Sequence, residues 1–138
     1  MAFYNFYRGN KYGNHKVKLS GELYDSKAEA IRGEELRALE AAGEIYNLRR
    51  QVRFDIIPSQ YESQGGIYLR GKNKGQPKRG KLIEHGITYY ADFVYTDKNG
   101  DTIVEDVKGI ETEVFRIKRK LMLYFFGIRV RTVRGGKT

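Results

Sequence analysis

Apolar residues recur at helical spacing through Ala28, Ile31, Leu36, Leu39 and Ala42, which predicts a helix with one buried stripe. Ser26 and Glu29 form a capping-box pattern ahead of that stripe and Gly43 follows it as a stop, so the helix is expected over residues 27–42. From Glu44 to Ile57 the period changes to two. Val52, Phe54 and Ile56 fall on one face and Gln51, Arg53 and Asp55 on the other until Pro58 ends the run, as in a strand. Residues 58–86 are rich in Gly, Ser, Gln, Lys and Arg and read as a long loop, with a short strand at Ile67 to Leu69 inside it. Ile87 to Tyr95 and Thr102 to Lys108 flank Asp97-Lys98-Asn99-Gly100-Asp101. The Asn-Gly turn signal predicts that they pair as an antiparallel hairpin. Thr112 is placed to cap a second helix through about Phe126, Gly127 to stop it, and Ile128 to Val133 alternates as a last strand. Residues 1–24 show no clear period and read as an arm ending in a short strand.

No internal repeat interrupts the order helix, strand, strand, strand, helix, strand. The expected fold class is therefore α/β: a mixed sheet flanked by helices in one domain, residues 25–138, behind a basic aromatic arm, residues 1–24, with residues 58–86 as a basic loop insertion. The 138 residues suffice for one domain with a real core and are too few for two ordinary ones.

Charge adds a partner to this picture. The net charge is +9, which favours a polyanion such as nucleic acid. Residues 1–24 carry four Lys/Arg against one acid, residues 57–86 six against two, and residues 111–138 eight against two. Residues 87–110 reverse the balance, with two bases and five acids. Carboxylates gathered inside a basic chain suit a protein that grips phosphates broadly and holds a cation at one place. With no cysteine and two isolated histidines, His15 and His85, thiolate and zinc sites are excluded, so a metal would sit on oxygen ligands. No apolar run approaches the ~20 residues of a membrane span. The start Met1-Ala2-Phe3-Tyr4-Asn5-Phe6-Tyr7 lacks a signal-peptide pattern, so the expectation is an intracellular protein.

The acids and amines of the hairpin are the candidate chemistry. Alternation along Ile103-Val104-Glu105-Asp106-Val107-Lys108 places Asp106 beside Lys108 on one face and Glu105 with Val107 on the other. Asp92 interrupts the apolar and aromatic stretch Tyr89 to Val94, where an unpaired acid is costly. One reading is an ordinary ion pair between Asp106 and Lys108 with Asp92 exposed. The other is a pair of acids meeting across the hairpin, their repulsion relieved by Lys108 or a divalent cation. Glu29 also has two readings. It is the capping-box partner of Ser26, and at 100° per residue it points along the Leu36 stripe toward the sheet. Lys118 falls with Val114, Leu121 and Phe125, whereas Arg116, Arg119 and Lys120 fall on the outer face. It either snorkels or reaches a phosphate. Arg70, Lys72, Lys74, Lys78, Arg79 and Lys81 are either a solvated loop or contacts to a nucleic-acid backbone.

Asp92, a turn, and then Asp106-Val107-Lys108 in this order of elements resemble the PD-(D/E)XK nuclease superfamily, with Ala91-Asp92 where the family has Pro-Asp. Glu29 stands where resolvase-like branches carry a glutamate on the first helix. The segments Tyr24-Asp25-Ser26-Lys27-Ala28-Glu29-Ala30, Glu105-Asp106-Val107-Lys108-Gly109 and Ile117-Lys118-Arg119-Lys120-Leu121 are also similar to an uncharacterised group found largely in bacteriophages. The resemblance spans about residues 25–133. It implies a DNA endonuclease in which Glu29, Asp92, Asp106 and the Val107 carbonyl hold Mg²⁺, with Mn²⁺ able to substitute. Metal-activated water would attack the phosphodiester in line while Lys108 orients that water or neutralises the phosphate. Lys118 would reach the scissile or adjacent phosphate, and Gln51 lies on the polar side of its strand, within approach of the site. With no separate recognition domain in view, structure-selective cutting of branched DNA, as by a Holliday junction resolvase, is the expectation, and the need to cut two strands suggests a homodimer by family analogy. The competing readings are a nicking or site-specific endonuclease, and a non-catalytic nucleic-acid-binding or structural protein on the same fold.

Overall fold

The computed structural model describes residues 16–63 and 65–134. His15 and most of the expected arm lie outside them. The chain runs β1 (Val17–Leu19), β2 (Glu22–Tyr24), α1 (Lys27–Ala41), β3 (Tyr46–Ile57), β4 (Gln60–Tyr61), β5 (Leu82–Glu84), β6 (Ile87–Thr96), β7 (Thr102–Lys108), α2 (Glu113–Phe126) and β8 (Arg131–Arg134). The central sheet has the order β3-β6-β7-β8. Its first three strands pair antiparallel and β8 joins β7 in parallel. It is thus a mixed sheet flanked by two helices in a single α/β domain, as the pattern of the sequence leads one to expect.

Helix ends follow the local chemistry. The Ser26 hydroxyl accepts the Glu29 N–H at 3.1 Å, and the Thr112 hydroxyl accepts that of Phe115 at 3.2 Å. Gly127, at φ 66°, closes α2, a left-handed conformation that favours glycine. The residues after it are spent turning the chain back. Hence the last strand begins at Arg131 and not at Ile128, although Val130 is buried.

Each sheet face carries its own core. Tyr24, Ala30, Leu36, Ile45, Phe93, Tyr95 and Ile103 pack together with α1, and Ile56, Tyr89, Ala91, Val94, Val104, Phe115, Met122 and Val130 with α2. Fully burying a side chain such as Phe93 or Met122 contributes about 1.5–3 kcal/mol. Along β6, Tyr89 and Ala91 belong to the α2 core whereas Phe93 and Tyr95 belong to the α1 core, so the alternation slips at Asp92. Along β3, Val52, Phe54 and Ile56 face α2 and Leu48 faces α1. The slip there coincides with Gln51, at φ 48°. Gln51 stands opposite Asp92, between the pairs Arg50↔Phe93 and Val52↔Ala91. Two neighbouring strands therefore change faces at one point, and a polar residue occupies that point on each.

Three expectations need correction. The long basic loop is a paired ribbon: β4 pairs with β5, and a bridge joins Ile67 to Pro77. Ile67 to Leu69 is not a strand, since only Ile67 enters that bridge. The buried line of α2 is Phe115 and Met122, while Val114 and Phe125 are 62% and 51% exposed. Lys118 is half-buried beside that line, and Arg119, expected outside, lies 5.6 Å from the Phe115 ring and donates to Glu111. Packing around two large side chains turned the helix away from the stripe that periodicity alone suggests.

Candidate active site

β6 and β7 pair from Thr96↔Thr102 to Phe93↔Glu105, and their register stops there. Asp92 and Asp106 are the next residues along the two strands. Beyond this point the Val107 N–H donates at 2.8 Å to Asp92 Oδ2, so the Asp92 side chain takes the place of a backbone partner. The β6–β7 ladder thus ends between the two central strands, with both aspartates the first residues beyond it.

Asp106 is 2% exposed. Its Oδ2 accepts a 2.7 Å hydrogen bond from the Tyr89 hydroxyl. Burial and the Asp106 charge push the Tyr89 phenol up, so it acts as a permanent donor. Lys108 Nζ stands 2.9 Å from Asp106 Oδ1 and 4.8 Å from the Phe115 ring centroid. Oδ1 is buried and makes no hydrogen bond of acceptable angle. Lys108 therefore lies in Coulomb range but off the direction in which the oxygen best accepts.

Asp92 has less relief. Its carboxyl is pushed up to about 7, first by burial, then by the charge of Asp106, with Glu29 adding to it; the Val107 N–H pulls the other way. Gln51 Nε2 links it to the helix, donating at 3.2 Å to Asp92 Oδ1 and at 3.1 Å to Glu29 Oε1. Glu29 is 3% exposed, and its carboxylate reaches the residue before the N-cap and not the Ser26 N–H that a full capping box would use. Its Oε2 accepts the Asp25 N–H at 3.1 Å, a capping contact, while Oε1 faces Gln51 and lies 3.7 Å from Arg50 Nη2. Arg50 in turn stacks 3.8 Å from the Tyr24 ring centroid and pairs with Glu22.

Asp92, Asp106, Lys108, Glu29 and Gln51 thus belong to one connected constellation, with Glu29 joined to Asp92 through Gln51. Tyr89 and Arg50 were not singled out in the sequence. Tyr89 sits one strand period plus the slip away from Asp92, and Arg50 reaches Glu29 through side-chain length, so neither has a local signal. Arg70, Lys72, Lys74, Lys78, Arg79 and Lys81 are exposed on the β4–β5 ribbon, and none of them contacts these carboxylates through a hydrogen bond or ion pair among the described residues. Beside Lys108 opens a cleft of about 160 Å³ lined by Gly109, Glu111, Arg116, Thr132 and Arg134.

Among the described residues, no three acidic or histidine side chains already converge as a ready cage for a metal. Two adjacent carboxylates, one with an orphaned oxygen and one with a raised pKa, nevertheless fit Mg²⁺, which keeps several waters and takes one or two protein carboxylates. Lost protons and relieved repulsion would accompany its binding. Among the described residues, no helix is long and apolar enough to cross a membrane.

No curated protein and no solved structure matches the chain. Residues 9–136 match the family model described as "Protein of unknown function (DUF1064)", and the chain belongs to that family.

Proposed function

We propose that the protein is an intracellular, Mg²⁺-dependent DNA endonuclease of the PD-(D/E)XK type, Mn²⁺ serving in place of Mg²⁺. The observation that carries this reading is the buried Asp106 oxygen without a hydrogen bond, set beside Asp92, whose carboxyl is raised to about 7, with the Lys108 ammonium 2.9 Å away. A structural ion pair between Lys108 and Asp106 would not by itself call for the second acid beside it. Asp92, Asp106 and the Val107 carbonyl would hold a divalent cation, which would supply the charge that acidifies water and stabilises the developing oxyanion. Glu29 and Gln51 orient Asp92 from the helix side, as supporting groups orient metal ligands. Tyr89 fixes the Asp106 rotamer through its 2.7 Å bond. Lys108, held over Phe115, neutralises the phosphate or orients the attacking water.

The phosphate backbone has a basic path past these groups. The cleft beside Lys108 carries Arg116 and Arg134 as well as Glu111, half-buried Lys118 lies on the same helix as Arg116, and the ribbon adds its six cations. Cutting both strands of a duplex calls for two such centres. We propose a homodimer, for which the exposed Val114, Ile117 and Tyr124 row on α2 offers an apolar face. Structure-selective cutting of branched DNA, as by a Holliday junction resolvase, is the substrate class we favour within this reading.

The test is incubation of the pure protein with linear, forked and four-way DNA, with Mg²⁺, with Mn²⁺ and with EDTA. Metal-dependent cutting, fastest on the branched substrates, is the expected result. Firm DNA binding with no cutting under any metal would instead favour a non-catalytic DNA-binding role on the same fold.

A further inference from the structure

We infer that the β4–β5 ribbon is a built arm that lies in the major groove of B-form duplex DNA, and not a loosely charged loop. The inference rests on the reading of the chain as a DNA-acting protein and adds the form of nucleic acid it selects. The pairing continues well beyond the two short strands. Glu62 N–H donates to Lys81 O at 2.8 Å, Lys78 N–H to Gly66 O at 2.7 Å, Tyr68 N–H to Gln76 O at 3.0 Å and Gly75 N–H to Tyr68 O at 2.8 Å. At Gly80 the opposite strand comes so close that a Cβ would stand 1.9 Å from Glu62 O. Only glycine permits that approach, so the register of the ribbon is fixed at this point.

Among the described residues, nothing of the domain covers the ribbon. Its described residues from Gln60 to Glu84 are exposed apart from Gly80, including Ile67 at 54%, Leu69 at 73% and Ile83 at 60%. An isolated two-stranded hairpin is marginal in water, and an exposed apolar and cationic one gains most from a partner. Arg70, Lys72 and Lys74 lie about its tip and Lys78, Arg79 and Lys81 along its returning strand, against Glu62 and Glu84. Arg79 stacks 4.5 Å from the Tyr61 ring centroid and Lys78 lies 5.4 Å from that of Tyr68, which holds two of the cations in place. The partner is therefore a polyanion.

Dimensions decide which one. Two backbones about 4.8 Å apart, with side chains on both flanks, are too wide for a minor groove of about 6 Å. They fit a B-form major groove of about 12 Å, which is known to admit a two-stranded ribbon. The major groove of A-form RNA is deep and narrow and does not admit it. In the B-form groove the cations of the tip and the returning strand reach the phosphate backbone, and Ile67 and Leu69 are available for thymine methyl groups.

Fluorescence anisotropy in EDTA tests the inference without requiring cleavage, using duplex DNA, duplex RNA of the same sequence and the single strand. Wild type should bind duplex DNA most tightly. Gly80→Val removes no charge but breaks the ribbon, and should lower duplex DNA affinity on the order of tenfold with little change for duplex RNA and an unchanged thermal melt, because Gly80 lies outside both cores. The Lys78→Gln/Arg79→Gln double variant, which leaves the backbone intact, should weaken duplex DNA binding and reduce the log–log salt slope by about 0.9 for each phosphate no longer neutralised. Equal affinity of wild type for DNA and RNA duplexes would overturn the inference, as would a Gly80→Val protein that binds duplex DNA like wild type. This binding pattern in a protein that never cuts would support the arm and sink only the hydrolytic reading. Cutting without the pattern would do the reverse.

Discussion

Glu105 and Asp106 are neighbours on β7, each 2% exposed, yet they face opposite sides of the sheet and opposite fates. Glu105 is sealed. Arg32 Nε and Nη2 donate to its two oxygens at 2.9 and 2.7 Å, and the Tyr95 hydroxyl adds a third bond. Burial and Glu105 push the Tyr95 phenol up to about 12, and the hydrogen bond to Glu105 raises Arg32, so both donors keep their protons. Asp106 has Tyr89 on one oxygen, an off-line lysine by the other, and Asp92 beside it. The same burial is thus compensated on one face and left partly uncompensated on the other. Glu105 is closed by three donors, as a structural carboxylate needs, whereas Asp106 shares its surroundings with a second acid.

If that contrast is right, substitutions on the two faces should fail in different ways. The largest effect is expected from Asp92→Asn, which should depress metal-supported cleavage on the order of 10²–10³-fold. DNA binding should be kept or tightened, because a negative charge near phosphate is lost. Near wild-type turnover would remove Asp92 from the site. On the sealed face, Arg32→Ala strands a buried charge and should destabilise the fold by about 3 kcal/mol, the lower end for a buried pair because Arg32 is 24% exposed. Thermal melting should show this as a fall of roughly 10 °C, partly recovered in Arg32→Ala/Glu105→Gln. A melt that does not move would mean that the two faces do not differ as described.

A smaller effect sharpens the position of Glu29, which belongs to both worlds. Glutamine keeps the capping contact, so Glu29→Gln should melt within a few degrees of wild type. Loss of a carboxylate charge from the cation's surroundings should reduce Mg²⁺-supported activity about 10–100-fold, with partial recovery in Mn²⁺. Unimpaired cleavage across a Mg²⁺ titration would return Glu29 to capping alone.

The smallest effect is a pH dependence of the metal-free protein. The folded state keeps the Asp92 proton up to about pH 7, whereas the unfolded chain releases it near 3.8. Between those values the folded state holds more protons, so this group's contribution to stability falls as pH rises through the window. Asp92→Asn should therefore gain melting temperature relative to wild type on going from pH 5 to pH 8, and Mg²⁺ should raise the wild-type melt more at pH 8 than at pH 6. A difference between the two proteins that is independent of pH would contradict the raised carboxyl.

Much of the frame was legible in the sequence because it is written locally. Ser26 with Glu29, Asn99-Gly100, Thr112 and Gly127 are turn and cap signals whose physics involves only a few neighbouring residues. Strand alternation correctly placed Asp106 with Lys108 and apart from Glu105. What was not legible depends on distant contacts. The Arg32–Glu105 clamp joins residues 73 apart in sequence. The ribbon is held by glycine-permitted backbone approach in a segment with the composition of a loop. The slip at Gln51 and Asp92, which brings both toward Glu29, needs a left-handed glutamine that no propensity favours. α2 turned to bury Phe115 and Met122, a choice made by the sheet beneath it.

The most direct measurement is single-turnover cleavage of end-labelled DNA by wild type and Asp106→Asn across a Mg²⁺ titration, with melting temperature and DNA affinity measured alongside. Wild type should cut only with Mg²⁺, saturably and reversibly blocked by EDTA, while Asp106→Asn, folded and still binding DNA, should lose on the order of 10²–10³-fold in rate. Wild-type cutting that persists in EDTA, or an Asp106→Asn protein that cuts as fast as wild type, would contradict the assignment of the uncompensated carboxylates as a metal-dependent nuclease centre.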